Sequence, residues 1–234
     1  MTLARRLSAE ALGTALLLAM VVGSAIMANR LAGGNAALAL LANSIASGAG
    51  LLALVLAFGD ISGAHFNPAL TLSQALQGKM DWREALPYAS AQVLGAFAGV
   101  AAAHLMFGEP PITAASVARA GASLWLSEFL ATFGLIAVII GCSRKRPDLT
   151  PFAAAAYITS AYWFTASSSF ANPALTLARM ASNTIAGIRP GDVPAYIAAQ
   201  LLGTIAATAI FNWLHRPARS AAKNSGSALS FGHD

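Results

Sequence analysis

Two asparagines carry the chemistry that is legible in this chain of 234 residues. Each heads the same six residues, Asn67-Pro68-Ala69-Leu70-Thr71-Leu72 and Asn172-Pro173-Ala174-Leu175-Thr176-Leu177, 105 positions apart. A lone Asn-Pro pair is an ordinary turn or helix start. An unbroken six-residue identity placed once per half marks a duplicated unit with an equivalent site in each copy. The chemistry such a pair offers is donation, since an asparagine amide presents two N–H groups. No metal-ligand cluster, phosphate loop or nucleophile–base pattern accompanies it, and Ser167-Ser168-Ser169 reads as a loop lining. The expectation is a protein without cofactor or metal that is not an enzyme.

The elements that must position the pair are membrane spans. The chain is 57% hydrophobic and 10% charged, with a mean hydropathy of +0.64, where a soluble domain carries about 25% charged residues. Crossing a hydrocarbon core takes about 20 apolar helical residues. Six stretches meet or approach that length, near 10–28, 37–58, 85–106, 124–142, 152–166 and 193–214; the fifth is short and ends in the serine run. Arg5-Arg6 before an apolar run also fits a signal peptide, a weaker reading with five spans following and Glu10 inside the run. The single cysteine, Cys142, allows no intramolecular disulfide.

With the amino terminus inside, Arg5, Arg6, Lys79, Arg83, Arg144, Lys145, Arg146, Arg216, Arg219 and Lys223 fall on the inner side. Arg30, Arg119, Arg179 and Arg189 fall outside. Ten against four follows the positive-inside rule and places both termini in the cytoplasm. The pI near 9.9 reflects that bias and does not argue for nucleic acid. The polar tail 216–234, rich in Ser and Gly, reads as disordered.

Landmarks recur beside the signature. Glu10 opens the first span and Glu128 the fourth, while Ala91-Gln92-Val93-Leu94-Gly95 in the third span matches Ala199-Gln200-Leu201-Leu202-Gly203 in the sixth. The repeat halves run from about 8 to 107 and from 124 to 215. Three spans per half is an odd number, so the second half enters the membrane upside down. The stretches 68–76 and 173–185 are apolar but too short to cross, and each begins as a helix, with Asn as cap and Pro at the first position. Gly78 and Gly187 suit their ends. Two half-helices dipping from opposite faces meet at the midplane, where irregular backbone survives only beside water or inside protein. Together they predict a pore.

The paired Asn-Pro-Ala boxes, the Glu near the start of the first and fourth spans, and the Gly63-Ala64-His65-Phe66-Asn67-Pro68-Ala69 context resemble the aquaporin family of water and small-solute channels. The resemblance runs from about Glu10 to Leu214. It implies an all-α membrane protein, a right-handed bundle of six transmembrane helices plus two re-entrant half-helices in an inverted 3+3 repeat, all within 1–215. It also implies a homotetramer in the cell membrane, with membrane lipid, water and small neutral solutes as partners. Asn67, Pro68, Ala69, Asn172, Pro173 and Ala174 would form the central constriction. Glu10 and Glu128 would accept hydrogen bonds from the loop before each half-helix.

One departure stands out. Family members usually carry Arg three residues after the second asparagine, at the constriction that sizes the solute; this chain has Leu175. By spacing, the remaining constriction positions are Ser47, Ser160 (which can slip by one) and Ser169. Three serines and a leucine make a wider filter without the fixed cation. Arg179 lies seven residues beyond Asn172 on nearly the same helical face, about 10 Å further out; it lines the outer vestibule or snorkels to headgroups. His65 lines the inner mouth or satisfies loop carbonyls. His104 reads as a span-end residue, Gln92 and Gln200 as hydrogen-bonding glue between spans, and Gly95-x-x-x-Gly99 as a close helix contact. The reading is a passive channel for uncharged solutes larger than water: glycerol-like polyols, urea-like molecules or neutral metalloid hydroxides. A water-selective channel and a proton-coupled transporter using Glu10 or Glu128 are the alternatives.

Overall fold

The computed structural model describes residues 1–215; the tail expected at 216–234 lies outside the described residues. Eight α-helices follow in order: α1 (Leu3–Leu31), α2 (Ala36–Ser62), α3 (Pro68–Leu76), α4 (Trp82–Met106), α5 (Ala122–Lys145), α6 (Thr150–Phe164), α7 (Pro173–Arg179) and α8 (Val193–Leu214). Each half is therefore long helix, long helix, short helix, long helix. Five of the long helices are apolar and long enough to cross a membrane. The 15 residues of α6 rise about 22 Å, and a 3-10 turn at Pro147–Leu149 extends it.

Apolar side chains such as Leu12, Leu94, Leu126 and Leu202 are exposed on the outside, as a bilayer solvent allows. Trp82, Trp125 and Trp213 stand exposed close to helix ends, where indole suits the headgroup level. The interior is more polar, with Glu10, Gln92, Glu128 and Gln200 all fully buried.

Packing repeats between the halves. Helix α1 lies mainly on α4 and α2, α5 on α8 and α6, and the halves are joined where α2 meets α6, α7 meets α4 and α3 meets α8. Gly95 and Gly99 face the Ala11 and Ala15 carbonyls of α1, so close that a Cβ at either would overlap the oxygen. Gly203 faces the Phe129 carbonyl of α5 in the same way. Small residues thus set the α1–α4 and α5–α8 distances, where no hydrophobic effect drives helices together in lipid.

The first half-helix matches its expected limits, ending before Gly78 in a left-handed conformation (φ +69°). The second is shorter than expected and stops at Arg179 rather than near residue 185. Its continuation is captured by the segment between α4 and α5. The Thr113 N–H donates to the Ala181 carbonyl (3.0 Å) and that of Ala115 to Met180 (2.9 Å). Ser116 donates to the Asn183 side-chain oxygen through its N–H (3.1 Å) and hydroxyl (2.9 Å). Gly187 consequently ends no helix and sits in the following loop, where a Cβ would collide with the Ser182 carbonyl.

Candidate functional site

Asn67 and Asn172 hold extended backbone (φ −155° and −156°) and cap their half-helices. Asn67 Oδ1 accepts the Ala69 N–H (2.8 Å); Asn172 Oδ1 accepts those of Ala174 (3.0 Å) and Leu175 (3.2 Å). Pro68 and Pro173 follow at the first helical position. The two amides then reach across the duplication. Asn67 Nδ2 donates to the Ala171 carbonyl (2.8 Å) and Asn172 Nδ2 to that of Phe66 (2.7 Å). The half-helices therefore meet N-terminus to N-terminus. Each amide keeps one further N–H, and its direction is fixed because the amide oxygen and the other N–H are already engaged.

The loop before each asparagine is held in a shape that ordinary residues resist. Ala64 and Phe66 in the first half, and Ser169 and Ala171 in the second, all have φ near +47°. Such conformations cost on the order of 1–3 kcal/mol per residue and persist only where the surroundings enforce them. Glu10 and Glu128 enforce them. Glu10 accepts from the Ser62 hydroxyl (2.6 Å), the His65 and Phe66 N–H groups (3.0 and 2.7 Å) and Gln92 Nε2 (2.8 Å). Glu128 accepts from the Phe170 and Ala171 N–H groups (2.9 and 3.0 Å) and Gln200 Nε2 (2.6 Å). With Phe66 and Ala171 held by their N–H groups, their carbonyls turn to the opposite asparagine.

Sequence reasoning gave Gln92 and Gln200 a general adhesive role, but the geometry is narrower. Each donates both to its glutamate and to the signature threonine, Gln92 to Thr71 (3.0 Å) and Gln200 to Thr176 (2.8 Å). Each threonine hydroxyl donates in turn to the carbonyl of its own asparagine (3.1 and 2.8 Å). The threonines were missed as site residues, although their place in the repeated hexapeptide was the signal. A second missed pair is aromatic: His65 against Tyr88 (centroids 5.5 Å apart) and, at the equivalent place, Phe170 against Tyr196 (5.3 Å).

One cavity of about 490 Å³ passes this point. It is lined at one end by Asp60, Pro147 and Asp148, in the middle by Asn67 and Asn172, and beyond them by Ser47, Tyr162 and Arg179. Leu17, Val21, Leu51, Leu70, Leu135 and Leu175 give it long apolar walls. His65 lines it too. The Thr71 proton is already used on Asn67, so His65 Nδ1 is the donor in its contact with the Thr71 hydroxyl (3.1 Å).

Of the four filter positions expected from spacing, Ser47, Ser169 and Leu175 line the cavity and Ser160 does not. Ser160 is exposed on the outside of α6, its hydroxyl donating to the Tyr157 carbonyl (2.8 Å). The cavity face of α6 is Pro151, Ala154, Ile158 and Tyr162. Two residues from either neighbour turn a helix by about 200°, so Ser160 points away and the register slips by two. Tyr162 takes the place, and its hydroxyl donates to Ser47 Oγ (3.0 Å). Ser169 Oγ, nearly buried, has no partner among the described residues.

Arg179 is buried and lines the cavity instead of snorkelling. Its Nε donates to the Ala186 carbonyl, and its guanidinium lies 3.3 Å from the Phe170 ring centroid. Arg119 holds the same ring at 4.9 Å and donates to the Gly187, Ser167 and Ile185 carbonyls (2.7, 3.2 and 2.9 Å). His104 is more than a span-end residue: it is buried, with Nδ1 against the Pro110 and Pro111 carbonyls (3.0 and 3.1 Å) and Nε2 against Ser182 Oγ (2.9 Å).

Comparison with known proteins follows the same lines. The family model described as Major intrinsic protein matches residues 1–161 and 150–232. Aquaglyceroporin AqpS of Rhizobium meliloti (strain 1021) is 54% identical over 217 residues, 93% of this chain and 93% of its own. The probable aquaporin AqpM of Archaeoglobus fulgidus is 30% identical over 92% of this chain and 98% of its own. In fold, the chain is similar to the crystal structure of the aquaglyceroporin from Plasmodium falciparum. The TM-score is 0.68 at 17% identity, covering 91% of this chain and 95% of that one.

Proposed function

The chain belongs to the major intrinsic protein family and is an integral membrane channel for small neutral solutes, not an enzyme; we propose that glycerol-like polyols are its preferred class. The observation that carries this reading is the cavity itself, with apolar walls along its length and a short polar row at Ser47, Asn67, Ser169 and Asn172. A polyol has the same two faces, carbon on one side and hydroxyls on the other. Leu175, in place of the arginine the resemblance implies, leaves the wall uncharged, and Tyr162 adds an aromatic ring to the same cavity. Urea-like molecules and neutral metalloid hydroxides have a compatible size and polarity, and water accompanies them.

At the centre each asparagine offers its remaining N–H to a passing oxygen. Two helix N-termini meet there, each equivalent to roughly half a positive charge, which opposes cations. A water held by two donors cannot also pass a proton along the file. Proton coupling through Glu10 or Glu128 has little support, because four and three donors already occupy these carboxylates. Residues 1–215 form one channel unit in this reading, with both termini cytoplasmic, in the cell membrane, as a homotetramer with one pore per subunit.

Stopped-flow light scattering of proteoliposomes tests it. Glycerol-driven reswelling well above that of empty vesicles is expected, independent of a pH gradient. Water flux without glycerol flux would overturn the polyol assignment.

A further inference from the structure

Leu175 stands where the family resemblance implies a cation, and the cavity contains one four residues further along the same helix, at Arg179. Leu175 and Arg179 both line the cavity, as i and i+4 positions on one face of α7. Their counterparts in the first half, Leu70 and Gln74, line it as well, so this stripe faces the pore in both copies.

Arg179 is buried, and among the described residues no carboxylate pairs with it. A buried charge without a partner is costly, and the arrangement around it does not neutralise it. It is instead held in position. Nε is tied to the Ala186 carbonyl and the guanidinium plane rests on Phe170. Phe170 is fixed in turn by Arg119 on the ring and by Tyr196 edge-on. The two terminal nitrogens of Arg179 make no hydrogen bond to the protein among the described residues. A second observation points the same way: Ser169 Oγ, in the wall of the same cavity, is buried and unpartnered. A guanidinium with unengaged donors and an unpartnered hydroxyl, converging on one cavity, describe a site awaiting a ligand rich in oxygen.

We propose that Arg179 is the specificity-determining cation of this pore, displaced outward from the position of Leu175, and that with Ser169 it receives solutes carrying two adjacent oxygens. The proposal rests on the channel reading above. A planar fork of N–H groups suits paired oxygens and places the solute lengthwise before it reaches Asn172. The same fork binds small planar oxyanions, which cannot continue past the apolar walls and therefore obstruct the pore.

The test uses full-length protein in liposomes, with water and glycerol fluxes measured on the same preparation. Arg179→Met keeps the unbranched stem on Phe170 and removes the donors; the glycerol-to-water flux ratio should fall about tenfold, the value of one charge-assisted hydrogen bond. Arg179→Lys should recover part of that ratio. Nitrate, exchanged for a bulky sulfonate at constant ionic strength, should slow glycerol flux in the wild type and in Arg179→Lys but not in Arg179→Met. An unchanged flux ratio in Arg179→Met would overturn the proposal, as would loss of nitrate sensitivity in Arg179→Lys. Should Arg179→Met fail to fold, the wild type decides alone: glycerol flux indifferent to nitrate excludes an accessible guanidinium. A wild type without glycerol flux sinks the channel reading for polyols itself, which is a separate result.

Discussion

At the scale of single residues, the central asparagines, glutamates and glutamines are each fixed by two or more partners. This makes substitutions at the asparagines informative. Asp caps a helix about as well as Asn, so Asn67→Asp and Asn172→Asp keep the contacts to Ala69 and Ala174. They lose the donor to the opposite loop and set a carboxylate against the Ala171 or Phe66 carbonyl. Both variants should lower glycerol flux and admit a cation leak, in the same direction, since the two residues share one level of one pore. Wild-type flux without leak in either, at equal membrane content, would leave the asparagines as caps alone. Leu175→Arg is a second residue-scale prediction. It adds bulk to the cavity that Tyr162 also lines and a charge one turn from Arg179, so glycerol flux should fall more than water flux; equal loss of both would remove Leu175 from the filter wall.

At the scale of elements, what could be read from the sequence followed from repetition and length. Six long helices, two half-helices and their capping Asn-Pro starts were legible because hydropathy and the duplicated hexapeptide are local signals. The end of α7 was not, because long-range partners set it: Thr113 and Ala115 take the carbonyls a longer helix would have used. Ser160 was misplaced for a related reason, since counting back from Asn172 crosses a loop whose length fixes no helical phase. The bond from Tyr162 to Ser47 joins α6 to α2 across 115 positions and leaves no trace in either local pattern. The close contact at Gly95 and Gly99 was legible, that at Gly203 was not, and both carry an element-scale prediction. Gly95→Val must push α4 off the Ala11 carbonyl of α1 and tilt Gln92 away from Glu10 and Thr71. Overpacking of this kind costs about 1–3 kcal/mol; thermal unfolding in detergent should shift down, and Gly203→Val on the equivalent α5–α8 contact should do the same. An unchanged midpoint in both would mean the helices are not held by these contacts.

At the scale of the whole molecule, the two halves present opposing helix ends at the centre, and a fixed guanidinium on one side of it. The pore should accordingly pass no ionic current. Planar bilayers containing the protein, clamped over both polarities, should remain as resistive as lipid alone while the same preparation conducts glycerol. Steady cation current would show that the central arrangement does not exclude charge. The orientation of the chain belongs to this scale as well and was argued from Lys and Arg near the ends of the spans; protease access to the carboxyl terminus in sealed inverted vesicles measures it.

The crossed pair of amides, Asn67 to Ala171 and Asn172 to Phe66, has a consequence for how such a chain is made. During synthesis the first repeat leaves the ribosome roughly a hundred residues before the acceptor of its asparagine exists. Until the second half arrives, the Phe66 carbonyl lacks the Asn172 donor, and Asn67 has its contact to Ala69 but not the one to Ala171. Maturation of the centre is then a single late event in which both repeats complete one another at once. Neither half alone supplies the acceptor for its own asparagine, so the centre needs both copies in opposite orientation. The fused chain guarantees that encounter at every translation, which is what a freely inserting single repeat would have to leave to collision in the bilayer.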